Sequence, residues 1–93
     1  MPYTVEFKPR AESQYLAWKK HKPEIADCID KLLEALETDP YHGIGRPEEL
    51  HGNLHGFLSR RIAKNQWLVY DVTGSKVFVY SCHGQYSDLA HFG

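Results

Sequence analysis

The chain has 93 residues, 42% of them apolar and 13% aromatic, with a net charge of −1. That length is enough for one modest core, and the apolar content excludes a disordered chain. No run approaches the roughly 20 apolar residues of a membrane span, and Met1–Phe7 leads into charge rather than into the apolar stretch of a signal peptide, so a cytoplasmic protein is expected.

Tyr3, Val5 and Phe7 alternate with Thr4 and Glu6, which predicts a first strand over Tyr3–Phe7. From Pro9 the period becomes helical, with Ala11, Tyr15 and Trp18 on one face. Lys22-Pro23 breaks the chain and Pro23 restarts it at the first position of a second helix. There Ile25, Ile29, Leu32 and Leu36 form an apolar stripe opposite Asp27, Asp30, Lys31, Glu34 and Glu37. Asp39-Pro40 ends that helix. Tyr41–Gly56, rich in glycine, predicts a long loop or a loop with a short strand. Strands are predicted over Phe57–Ile62, Trp67–Val72 and Lys76–Cys82, the last two joined by a tight turn at Thr73-Gly74-Ser75.

The order β-α-α-β-β-β predicts a single α+β domain over residues 1–93. Two N-terminal helices pack on one face of a small twisted antiparallel sheet, the other face is left open as a cleft, and a short polar tail follows Tyr86. Residues 41–67 hold Arg46, Arg60, Arg61 and Lys64 against Glu48 and Glu49, a local net of +2 where a phosphate backbone has room to lie. Cys28 and Cys82 form no Cys-x-x-Cys pair and read as two buried thiols in a reducing compartment. His51 and His55 stand four apart, but Gly52 and Gly56 argue against the helix that would align them as ligands, so neither a metal nor another cofactor is expected.

The run Gly43-Ile44-Gly45-Arg46-Pro47-Glu48-Glu49-Leu50, then Asn53-Leu54, Gly56-Phe57 and Ser59-Arg60-Arg61-Ile62, closely resembles the signature of the YoeB/Txe toxins of the RelE/ParE superfamily. Leu68-Val69-Tyr70 and the stretch from Cys82 to Tyr86 continue it in register, so the resemblance spans nearly the whole chain. It implies a RelE-like fold and a type II toxin–antitoxin toxin that inhibits translation as a metal-independent, ribosome-dependent messenger-RNA endonuclease. The implied partners are a cognate antitoxin of the YefM/Axe kind, the 70S ribosome with its messenger RNA and, in some members, a second copy of the toxin.

Cleaving RNA through its 2′-hydroxyl needs a base for that proton, an acid for the leaving oxygen and cations for the charge on phosphate. By the resemblance Glu48 is the general base; on its own it reads as a solvated loop carboxylate. Arg60 and Arg61 are strand neighbours and face opposite ways, so only one lines the cleft. The family register makes Arg61 the phosphate contact, through its bidentate fork, and leaves Arg60 to snorkel at the sheet edge or pair with a helix carboxylate. Tyr86 matches a tyrosine that orients the substrate nucleotide, or else packs the tail onto the sheet.

The chain departs from the family pattern at three of these positions. Trp67 replaces an arginine, Gln85 replaces a histidine taken as the general acid, and His51 stands where lysine is common. Glutamine cannot donate and recover a proton near neutral pH. His83, two residues before Gln85 and so on the same side of an extended tail, is the expected substitute in catalysis, with His51 as a second imidazole. Trp67 is suited to stacking on a base. Arg46, His51, Arg60, Lys64, Trp67 and Gln85 complete the expected RNA contacts. The alternatives are a relative that binds antitoxin or ribosome without cutting, and a gyrase-inhibiting toxin on the same fold.

Overall fold

Alternation along Thr4–Phe7 produces strand β1, whose Val5 and Phe7 turn inward. The computed structural model, which describes residues 2–84, continues with helix α1 (Pro9–His21) and helix α2 (Pro23–Thr38). Both helices start on proline, where the missing N–H costs nothing. In α1, Glu12 lies in the first turn and Lys19, Lys20 and His21 in the last, which complements the helix dipole. Strand β2 (Glu48–Glu49), a 3₁₀ turn (Gly52–Leu54), β3 (Leu58–Ala63), β4 (Gln66–Thr73) and β5 (Lys76–Ser81) follow. The long loop thus does contain a short strand.

The five described strands form one sheet in the order β1-β5-β4-β3-β2. Strands β2 to β5 pair antiparallel, as the short connections require, whereas β1 pairs with β5 in parallel, Val5 opposite Val77 and Phe7 opposite Val79. The sheet is therefore mostly antiparallel, with one parallel edge pair. Ile29, Leu32 and Leu36 of α2 and Ala11 of α1 cover Leu58, Ile62, Leu68, Tyr70, Val77 and Val79. Each large aliphatic side chain so buried contributes about 1.5–3 kcal/mol.

The opposite sheet face is less open than expected. Leu50 and Leu54 fold over Val69 with Phe57 beside them, and Phe57 meets Tyr80 edge-on at 5.1 Å. The cleft is narrowed to the β2–β3–β4 side. Cysteine burial also differs from expectation at one position. Cys82 is buried, and burial pushes its thiol up to about 12, but Cys28 is exposed on α2. It lies one turn before Leu32, about 40° around the helix from it, on the exposed rim of the buried stripe. Among the described residues, no helix is long and apolar enough to cross a membrane.

Candidate functional site

The segment after α2 is shaped by its own turn chemistry and by one buried arginine. Asp39 accepts the N–H groups of Tyr41 and His42 through Oδ1, at 2.9 and 3.2 Å, and its Oδ2 lies 3.1 Å from His42 Nδ1. The Tyr41 bond, then His42, hold this carboxyl below the usual range. Arg60 is fully buried, and its Nε donates to the Tyr70 hydroxyl at 3.1 Å. One terminal nitrogen donates to the carbonyl of Ile44 at 3.1 Å, the other to those of Asp39 at 2.6 Å and His42 at 3.0 Å. Tyr70 in turn donates to the Pro40 carbonyl at 2.6 Å, and burial raises its pKa, so the hydroxyl keeps its proton.

This corrects the expectation for Arg60. It neither snorkels nor meets a helix carboxylate, and a side chain with no exposed surface cannot contact RNA. Its alternation partner, Arg61, is exposed as expected.

Register places the remaining groups. Glu48 lies directly opposite Ser59, and Arg61 lies two residues further along the same strand, directly opposite Trp67. Directly opposed residues share a face, so Glu48, Ser59, Arg61 and Trp67 lie on the sheet face away from the helices. Glu48 and Arg61 stand on a diagonal, a position in which neighbours are about 7–8 Å apart and their Cβ atoms somewhat closer. Glu48, Arg61, Arg46 and Lys64 are all exposed; Trp67 is half-buried. Arg46, two residues before Glu48, adopts a left-handed backbone at φ 52°. Lys64 occupies the β3–β4 turn, where left-handed Asn65 reverses the chain beside Arg61 and Trp67.

His51 and His55 flank the 3₁₀ turn, with no α-helix between them, and line a hollow of about 270 Å³ with Glu49, Leu50 and Phe57. His83 is placed elsewhere. Its ring stacks on Trp18 of α1 at 5.2 Å and lines a cavity with Gln14, Ala17 and His21. The expectation that it faces the cleft is therefore corrected: strand β5 ends at Ser81, and beyond it alternation no longer sets direction. Gln85 and Tyr86 lie outside the described residues. Gly84 is bonded on both sides, its N–H to Gln66 Oε1 at 2.6 Å and its carbonyl to the Trp67 N–H at 3.0 Å. Gly84 is therefore held at the Trp67 end of the site.

The Arg60–Tyr70–Pro40 network and the Leu50–Leu54–Val69 cluster are not apparent in the sequence. Only the glycines at 43 and 45 hint at a close approach to the first.

The fold is that of the RelE-like toxins, two helices on one face of a mostly antiparallel sheet. Within that class the chain belongs to the YoeB-like toxins of bacterial type II toxin–antitoxin systems, whose family model matches residues 7–86. It is 33% identical to the toxin YoeB of Synechocystis over 88% of this chain and 95% of that protein. It is 38% identical to the Escherichia coli toxin YoeB over 77% of this chain and 86% of that one. Among solved structures, a YoeB/ParE toxin from Agrobacterium tumefaciens superposes with a TM-score of 0.85 at 28% identity, covering 89% of this chain and 99% of that one. A YoeB dimer from Staphylococcus aureus superposes at 0.83 with 31% identity, covering 92% and 100%. The same toxin in a heterotetrameric YoeB–YefM complex gives 0.82, with the same identity and coverage.

Proposed function

We propose that this toxin is a metal-independent endoribonuclease that cuts messenger RNA on the ribosome. The observation that carries the reading is the exposed Glu48–Arg61 diagonal on the sheet face away from the helices. Glu48 takes the proton of a 2′-hydroxyl, whose oxygen attacks the adjacent phosphorus as the bond to the 5′-oxygen breaks. Arg61 offers its fork to the phosphoryl oxygens as charge builds there. Arg46 and Lys64 flank the path of the RNA backbone, and Trp67 offers a stacking surface. Gln85 and Tyr86, outside the described residues, are assigned to orienting the nucleotide, as the family resemblance implies. With His83 against α1, His51, which lines the hollow beside β2, is assigned to protonate the leaving oxygen.

The low net charge suits an enzyme whose substrate is oriented by the ribosome rather than held by the toxin alone. The solved relative from Staphylococcus aureus is seen both as a dimer and with YefM. A cognate antitoxin of that kind and self-association are proposed here too, in the cytoplasm. Trp67 and Gln85 favour a second reading, a relative that binds these partners without cutting.

In a translation extract, mapping of messenger 5′ ends should show cuts within the codon in the ribosomal A site. Glu48→Gln and Arg61→Ala should each lower cutting by about 100-fold or more. Variants that cut like wild type would remove this pair from the reaction.

A further inference from the structure

Arg60 is a buried cation whose described surroundings supply carbonyl and hydroxyl oxygens rather than a carboxylate. Burying a guanidinium this way is expensive unless fixed dipoles surround it. Three of its four contacts are carbonyls of Asp39, His42 and Ile44, which belong to the loop between α2 and β2. The fourth, the Tyr70 hydroxyl, ties the same loop at Pro40. The next carbonyl, that of Gly45, accepts the backbone N–H of Arg61 at 2.6 Å. Adjacent residues of β3 thus hold adjacent carbonyls of the loop, and only Arg46 and Pro47 separate the last of these from Glu48.

We infer that Arg60, braced by Tyr70, is a positioning residue that sets Glu48 against Arg61. Strand β3 presents Arg61 on one face and, through Arg60 on the other, fixes the approach of the segment that carries Glu48. Left-handed Arg46 fits this arrangement, because a non-glycine residue keeps such a conformation only where its neighbours over-determine it. Lysine cannot replace arginine here, because its donors radiate from one nitrogen and cannot reach three separated carbonyls and a hydroxyl together. The inference rests on the endonuclease reading for its functional consequence, and on the loop contacts alone for its structural one.

The test compares full-length wild type with Arg60→Lys, Tyr70→Phe and a core control, Ile29→Val. Each is measured for melting temperature, backbone hydrogen exchange, and kcat and KM of messenger cleavage on programmed ribosomes. Arg60→Lys should lower kcat about 10- to 100-fold with KM near wild type, because a misplacement of about 1 Å at the reacting groups has that effect. Exchange should quicken at the N–H groups of Tyr41 and His42, bonded to Asp39, and of Arg61, bonded to the Gly45 carbonyl, while β4 and β5 stay protected. Tyr70→Phe should show the same pattern more weakly, and it carries the test if Arg60→Lys does not fold. The control should lose melting temperature but keep kcat. Unchanged kcat in both clamp variants, or faster exchange spread evenly over the sheet as in the control, overturns the inference. Should wild type itself not cut, the endonuclease reading falls, and exchange alone decides the clamp. Acceleration confined to the N–H groups of Tyr41, His42 and Arg61 upholds it; unaltered exchange there overturns it.

Discussion

Gly45 sits where three parts of the molecule close on one another. A Cβ there would lie 2.8 Å from Leu32 Cδ2 and 3.1 Å from Arg60 Cβ, and its φ is +84°. Gly52, at φ +67°, has nothing within 4 Å of the same built atom. The left-handed conformation costs a side chain about 1–2 kcal/mol, and overpacking a closed site costs about 1–3 more. Gly45→Ala should therefore destabilise the protein by about 2–5 kcal/mol in urea unfolding, and Gly52→Ala by about 1–2. Equal losses would contradict the packing described around Gly45. At this scale the sequence is partly legible. Strand alternation requires Arg60 and Arg61 to face apart, yet burial of the first depends on carbonyls some twenty residues away, which no local pattern encodes. His83 shows the converse: strand alternation ends with β5 at Ser81, and stacking on Trp18 sets the direction of its ring instead.

Between elements, α1 and α2 are joined on their outer side by the Tyr15 hydroxyl, which donates to Asp30 Oδ1 at 2.6 Å. That bond, with burial and the negative charge of Asp30, raises the tyrosine from its ordinary 10.0 to about 12. A group whose folded-state pKa is raised contributes stability below its unfolded value and loses it as pH climbs toward the folded one. Wild type should thus lose stability between about pH 10 and 12 that Tyr15→Phe, already lacking the bond, does not lose. Denaturant midpoints across that range check it, and parallel pH curves for the two proteins would contradict it. The helices and the β3–β4–β5 meander are legible because each is long enough to show its period. Strand β2, two residues long, shows none, and the parallel pairing of β1 with β5 brings the first and last described strands together at one edge of the sheet without local signal.

Across the whole molecule, the helices occupy one sheet face, and Leu50, Leu54 and Phe57 cover part of the other, so the accessible face narrows to the β2–β3–β4 side. That side carries Glu48, Arg61, Lys64 and Trp67, the stretch where positive charge concentrates in an otherwise near-neutral chain. The motif from Gly43 to Ile62 pointed to this region before any fold was available, because its glycines, carboxylate and arginines recur at family spacing. The motif could not reveal whether a site with tryptophan for arginine and glutamine for histidine still turns over. Cleavage of messenger RNA in purified 70S ribosome complexes, comparing wild type with the Trp67→Arg, Gln85→His double variant, tests that claim most directly. Wild type should cut at the A-site codon. An uncut message with wild type, alongside cutting by the double variant, would contradict it and leave a toxin fold that binds without chemistry.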